Sequence, residues 1–192
     1  LVAEFLQNLK SKTLNSKISI WDCCAASGGK SIMAKDIFDN IDLTVSDIRE
    51  SILINLKKRF SSAGIKSYKI LVADITGTVK ELANKKFDLI IADVPCSGSG
   101  TWSRTPEQLC FFDEKKIEEY VALQRKIVSN LIPHLSSGGY LLYITCSVFG
   151  KENEQQISFI KEKLQLKMLK MKIFEGYTNK ADTMFAALLK MK

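Results

Sequence analysis

The sequence predicts an α/β domain with a mostly parallel sheet and helices on both of its faces. Three observations predict it. Short apolar runs alternate with helix-period segments along nearly the whole chain, the pattern of strands joined by crossover helices. Several of those runs end on an acid, a glycine pair or a cysteine, and sheets of this kind gather their ligands at the carboxyl ends of the strands. Hydrophobic residues make up 46% and charged residues 26% of the 192 residues, enough to bury a core without disulfide or metal staples. At about 150 residues per domain, one domain over residues 1–192 is expected.

Each element follows from its local pattern. Ile18–Asp22 is a short apolar run that leads into small residues and glycines, so it reads as a strand followed by a tight loop. Ile32 to Phe38 reads as the helix after that loop. Leu43–Asp47 is a second strand ending on an acid, followed by a helix from Ile52 to Phe60 with apolar spacing. Lys69–Asp74 is a third strand, again ending on an acid. Phe87–Asp93 is the most apolar run and is expected at the centre of the sheet, buried on both faces. A long loop from Val94 to Pro106 follows. Asp113 is placed to cap a helix whose inner face carries Ile117, Val121, Gln124, Ile127 and Leu131. Gly138 and Gly139 turn into a fifth strand, Tyr140 to Thr145. An amphipathic segment, Ser158 to Leu164, and a last strand, Met184 to Leu189, complete the chain.

Charge and cysteine usage narrow the class. Lys and Arg number 28 against 21 Asp and Glu, a net charge of +7, which is compatible with a polyanionic partner such as RNA or with solubility alone. The five cysteines form no C-x-x-C pair and there is a single histidine, His134, so a zinc cage and a secreted disulfide framework are both disfavoured. No metal is expected, and a reducing, cytoplasmic compartment is. No apolar run approaches the ~20 residues of a membrane span. A monomer is expected.

The loop after the first strand, Asp22–Ser31, carries Gly28 and Gly29 ahead of a helix N-terminus. Those glycines are expected to let a ligand approach the backbone amides. Gly29-Lys30-Ser31 also resembles the end of a phosphate-binding P-loop, but the glycine required five positions before Gly29 is Cys24. The loop therefore points to a nucleotide-like ligand. Asp47, about 20 residues on, is placed to accept hydrogen bonds from ribose hydroxyls, and Asp74 to face the base edge. After the fourth strand, Asp93–Gly100 presents Cys96 on a loop shaped by proline and glycine. The fifth strand runs into Cys146, with Glu152, Asn153 and Glu154 beyond it. An isolated cysteine is usually a small buried apolar residue. Two cysteines at neighbouring strand ends point instead to one pocket. Cys23, Cys24 and Cys110 are read as structural, with any ligand contact of Cys23 and Cys24 through the backbone.

These residues resemble the catalytic domain of the Nop/Sun group of RNA cytosine-C5 methyltransferases. The group's D-x-C-A-A-P-G-G-K is matched by Asp22–Lys30, and its D-x-P-C-S-G-x-G by Asp93–Gly100 with Arg104 and Pro106 after it. Its G-G-x-L-x-Y-x-T-C-S is matched by Gly138–Ser147 with a following E-N-E, and its D-G-F-F-x-A more loosely by Asp182–Ala187. The resemblance implies a Rossmann-like S-adenosylmethionine-dependent methyltransferase fold with a seven-stranded sheet in the order 3-2-1-4-5-7-6. It implies S-adenosylmethionine contacts from Cys24, Ala25, Ala26, Ser27, Gly28, Gly29, Lys30, Asp47, Asp74 and Asp93. It gives Cys146 the nucleophilic thiolate, Cys96 the release of the product, Asp93 the N3 edge of the base, and Lys30 a place beside the same pocket. The substrate it implies is ribosomal or transfer RNA. Three positions depart from the pattern. Ser27 replaces a proline and is expected to loosen the first loop; Ile52 stands where the group often has an arginine; Thr183 replaces a glycine. The group's upstream RNA-binding segment is not matched within this chain. The rival readings are an inactive RNA-binding remnant of the same fold and a P-loop-like nucleotide hydrolase.

Overall fold

The computed structural model describes residues 2–10, 17–177 and 180–192. Its elements are α1 (Ala3–Lys10), β1 (Ile18–Asp22), α2 (Gly29–Ile37), β2 (Ile41–Asp47), α3 (Glu50–Ser62), β3 (Lys69–Val72), β4 (Phe87–Asp93), α4 (Lys115–Leu131), β5 (Leu135–Thr145), α5 (Glu154–Lys163), β6 (Lys167–Phe174) and β7 (Met184–Lys190). The seven strands form one sheet in the order β3-β2-β1-β4-β5-β7-β6. The pairs from β3 to β5 are parallel. β7 lies antiparallel between β5 and β6.

The central strand shows why the sheet is covered on both faces. In β4, Leu89 and Ile91 join the core under α1, α2 and α3, with Phe5, Leu6, Leu53, Leu56 and Phe60. Ile90 and Ala92 point the other way, into a second core with Ile127, Val128 and Leu131 of α4 and Ile160 of α5. Successive side chains of a strand alternate faces, so a strand buried on both sides must be apolar at nearly every position. The chain runs outward from β1 to β3 and then returns to β4 beside β1. That reversal opens a crevice at the carboxyl ends of β1 and β4, where an open sheet of this type binds ligands.

Several boundaries differ from expectation. β3 ends at Val72, so Asp74 lies in the loop beyond it. β5 starts at Leu135, and Gly138 (φ +70) sits inside it, at an irregularity in the pairing with β4, instead of turning into it. α2, α3 and α5 begin earlier than their apolar spacing indicates, because first turns are set by the loop and cap rather than by the buried face. The long loop after β4 contains short 3-10 segments at Ser99–Thr101 and Pro106–Phe111. The N-cap of α4 is Glu114, one residue beyond the expected Asp113, whose carboxylate still accepts the Lys115 N–H at 3.0 Å. Among the described residues no helix is long and apolar enough to cross a membrane.

Candidate active site

The carboxyl ends of β1 to β5 enclose a cavity of about 490 Å³. It brings together Cys24, Ala26, Asp47, Asp74, Asp93, Cys96 and Cys146. Ala25, Ser27, Gly28, Gly29 and Lys30 do not line it. The apolar wall, from Ile48, Ile75, Leu123 and Ile127, and the side chain of Arg49 were not predicted.

The first loop is built differently from expectation. Gly28 has φ +83, and a Cβ there would lie 2.6 Å from the Phe60 ring. Its missing side chain therefore admits α3, not a ligand. A Cβ on Gly29 would meet only the Arg59 guanidinium, at 3.9 Å. Ser27 does not leave the loop loose. Arg59 Nη1 donates to its hydroxyl at 2.6 Å and to its carbonyl at 3.0 Å, so two hydrogen bonds stand in for the rigidity of a proline ring. Asp47 fixes the same loop from the other side, accepting the Ala26 N–H at 3.0 Å. Burial alone would push the Asp47 carboxyl up, but hydrogen bonds from Arg49 and the Ala26 amide hold it below the usual carboxylate value. Ile52, at the arginine position of the pattern, packs against the core.

Beneath the loop, Asp22 is 1% exposed. One of its oxygens accepts the Ser31 hydroxyl at 2.6 Å and the other has no partner. Burial pushes this carboxyl up to about 7, against the opposing Ser31 hydrogen bond. Above it Lys30 Nζ meets Asp93 Oδ2 at 2.5 Å. Burial works against the Lys30 charge, yet Asp93 outweighs it and holds the ammonium above its ordinary value.

The two cysteines of the strand-end motifs meet here. Cys96 Sγ and Cys146 Sγ are 3.3 Å apart. The hydrogen bond from Cys96 lowers the Cys146 thiol, and Lys30 adds to this. The same hydrogen bond, with burial, pushes the Cys96 thiol up. Of the two, Cys146 is therefore the more acidic thiol. Cys23 is buried as expected, though it lines the cavity together with the half-buried Cys24, and Cys110 is exposed on the 3-10 segment.

A buried polar cluster holds the two cysteine loops together. Glu152, 0% exposed, accepts the Ser97 N–H at 2.9 Å and the Ser97 hydroxyl at 2.6 Å. It also accepts the Ser147 hydroxyl at 2.5 Å and the Gln124 amide at 3.0 Å. Asn153 ties Thr145 to the Ser147 carbonyl. Arg104 makes a two-pronged pair with Asp182, both contacts 3.0 Å. A Cβ on Gly100 would lie 2.1 Å from the Thr183 carbonyl oxygen. The segment before β7 therefore closes directly on the Cys96 loop. Glu152 and Arg104 stood in recognisable motifs, but nothing in the sequence marked them as the posts of this loop.

The family model of the 16S rRNA methyltransferase RsmB/F matches residues 9–190. The chain belongs to that family. Over 138 residues it is 34% identical to the ribosomal RNA small subunit methyltransferase B of Citrobacter koseri, covering 72% of this chain and 32% of that one. It spans about a third of the length of the curated relatives it matches. Among solved structures, PH0851 superposes with a TM-score of 0.82 at 28% identity, covering 97% of this chain and 46% of the other. NSun6 from Pyrococcus horikoshii, crystallised with SFG, gives 0.81 at 24% identity, covering 98% and 50%. The RsmB/F family and the Rossmann-like methyltransferase fold agree with the resemblance read from the motifs.

Proposed function

We propose that this chain transfers the methyl group of S-adenosylmethionine to C5 of a cytosine in RNA, through a transient bond between Cys146 and C6 of the base. The observation that carries this reading is the thiol pair, 3.3 Å between sulfurs, on the cavity that also holds Asp47 and Asp93. Membership of the RsmB/F family supports methyl transfer to RNA, and the name of the Citrobacter relative makes small-subunit ribosomal RNA the first substrate to try.

The residues present fit the cofactor. The cavity volume lies in the range of small-molecule sites, about 300–1,000 Å³. Asp47 offers an ionised carboxylate to ribose hydroxyls, and the wall formed by Ile48, Ile75 and Ile127 offers an apolar slot for a base, with Asp74 at its edge. Bound there, S-adenosylmethionine supplies an electrophilic methyl group.

The remaining chemistry belongs to the chain and the cytosine. The Cys146 thiolate forms a bond to C6, and the electron pair of the C5–C6 double bond becomes available at C5. N3 takes up a proton in this step, delivered from Lys30 by way of Asp93, which holds that edge of the base. C5 then bonds to the methyl carbon while the sulfonium–methyl bond breaks, its electron pair leaving with S-adenosylhomocysteine. Once Cys146 is a thioether it no longer carries the charge that kept the Cys96 proton in place. Cys96 releases that proton to solvent, and its thiolate removes the C5 proton. The C–H electrons restore the double bond and expel Cys146 as a thiolate, and N3 returns its proton by way of Asp93 to Lys30. A target base reaches this cleft only when unpaired or flipped out.

The test is incubation of the chain with methyl-labelled S-adenosylmethionine and unmethylated small-subunit ribosomal RNA, followed by digestion to nucleosides. Label in 5-methylcytidine is expected. Label confined to another nucleoside would overturn the cytosine-C5 reading.

A further inference from the structure

We propose that the Arg49 guanidinium occupies the ribose subsite of the cavity and is displaced by the two vicinal hydroxyls of the cofactor, so that Arg49 sets the cofactor affinity of this chain. The inference rests on the reading that Asp47 receives the ribose.

A carboxylate offers about four lone-pair sites, and on Asp47 all four are filled. Oδ1 accepts the Arg49 main-chain N–H and Nε, each at 3.0 Å. Oδ2 accepts the Ala26 N–H at 3.0 Å and Arg49 Nη2 at 3.2 Å. The two main-chain donors are fixed by the end of β2 and by the turn at Ala26, which has φ +46. The other two belong to one side chain, and they are distributed one to each oxygen. A vicinal diol donates in the same pattern, one hydroxyl to each oxygen. Fork and diol therefore compete for the same two acceptor positions, while the main-chain donors keep the carboxylate oriented and ionised throughout.

The fork is free to leave. The Arg49 side chain is 60% exposed although Asp47 is 5% exposed. Among the described residues Asp47 is the one carboxylate within ion-pair distance of it. An ion pair with one arm in solvent is weak, which suits a contact that must be exchanged each time the cofactor binds.

The experiment is calorimetric titration of S-adenosylhomocysteine at pH 8 into the wild-type chain, Arg49→Gln and Asp47→Asn. The ligand carries no net charge, so loss of the arginine charge adds little of its own. Arg49→Gln is expected to bind roughly two- to five-fold more tightly. In the wild type, the Arg49 Nε–H resonance is expected to shift and lose protection from exchange as ligand is added. Weaker or unchanged binding by Arg49→Gln would make the arginine a support or a bystander and overturn the proposal, as would an Nε–H resonance unmoved at saturation. Wild-type affinity in Asp47→Asn would instead overturn the placement of the ribose, whatever Arg49 does.

Discussion

The two halves of the cavity are held in opposite ways. On the cofactor side, at the ends of β1 and β2, the loop is held by Asp47 at Ala26 and by Arg59 at Ser27, and both Arg59 and the Arg49 that caps Asp47 reach in from solvent. On the cysteine side, at the ends of β4 and β5, the loops are tied to Glu152, Asn153 and Ser147, all fully buried. The contrast matches what each half has to do in the proposed reaction. A cofactor site must open and exchange contacts in every turnover, so weak, exposed pins suffice. Two sulfurs kept 3.3 Å apart without joining as a disulfide need their loops located to a fraction of an ångström, and a buried, multiply hydrogen-bonded carboxylate does that.

The largest effects should come from the sulfurs themselves. Cys146→Ser is expected to abolish both methyl transfer and any covalent protein–RNA complex, because an alcohol with no dedicated base is far less nucleophilic than a thiolate. Cys96→Ala is expected to methylate once and then accumulate a denaturant-resistant complex with RNA. It also loses the donor that lowers the Cys146 thiol, so the pH at which its adduct forms half-maximally should move upward. Gel electrophoresis over a pH series reads both effects. An adduct from Cys146→Ser and none from Cys96→Ala would exchange the two roles.

Next comes the post that holds them. Glu152→Ala leaves Ser97, Ser147 and Gln124 donors without their acceptor in a dry site. A loss of about 2–4 kcal/mol in urea denaturation is expected. A loss no larger than that of a surface substitution would mean that the two halves are not held differently after all.

This contrast also explains what the sequence made legible. β1 and β4 were read residue for residue, because a strand buried on both faces is apolar at most of its positions. No strand was predicted over β6, although the seven-strand order required one. It lies at the sheet edge with Lys167, Lys170 and Lys172 along it, and lysines on an edge strand guard against aggregation while hiding its pattern. No element was predicted over α1 either, yet Phe5, Leu6 and Leu9 carry helical spacing and are buried. The cysteines and acids were legible because each lies at or shortly beyond the end of a strand. Glu152 was not, because its meaning depends on donors 55 and 28 residues away as well as on a near one. Arg49 and Arg59 were missed for a related reason. An exposed arginine on a helix or just before one is ordinary until its partner is known.

On the cofactor side, Asp47→Ala is expected to weaken S-adenosylmethionine binding by about 1–3 kcal/mol, measured by calorimetry. Its effect on stability should be smaller than that of Glu152→Ala, because Arg49 is exposed and can turn to water. If Asp47→Ala instead destabilises the fold as much as Glu152→Ala does, the cofactor half is as rigidly built as the cysteine half.

The smallest expected effect lies where the halves meet, at Asp22 between the first loop and Asp93. Its carboxyl is buried, has one oxygen without a partner, and is pushed up to about 7 from an ordinary 3.8. Lys30 favours its charge, while Asp93 and Asp47 oppose it. At pH 3 the group is protonated in both the folded and unfolded chains and contributes nothing to the pH dependence. Between about 4 and 7 the unfolded chain releases the proton and the folded chain keeps it, so stability falls as pH rises through this window. Above about 7 both states are ionised and the penalty stays constant. Asn at this position cannot ionise and can still accept the Ser31 hydroxyl. Asp22→Asn should therefore gain on the wild type by about 1–2 kcal/mol more at pH 8 than at pH 5, with no further change above pH 8. Urea denaturation of both chains at pH 5, 6, 7 and 8 checks this. Parallel stability curves would mean that the Asp22 carboxylate is ionised in the folded chain throughout, stabilised by the Lys30 ammonium. The junction would then belong electrostatically to the cysteine half, where charge is buried with a partner.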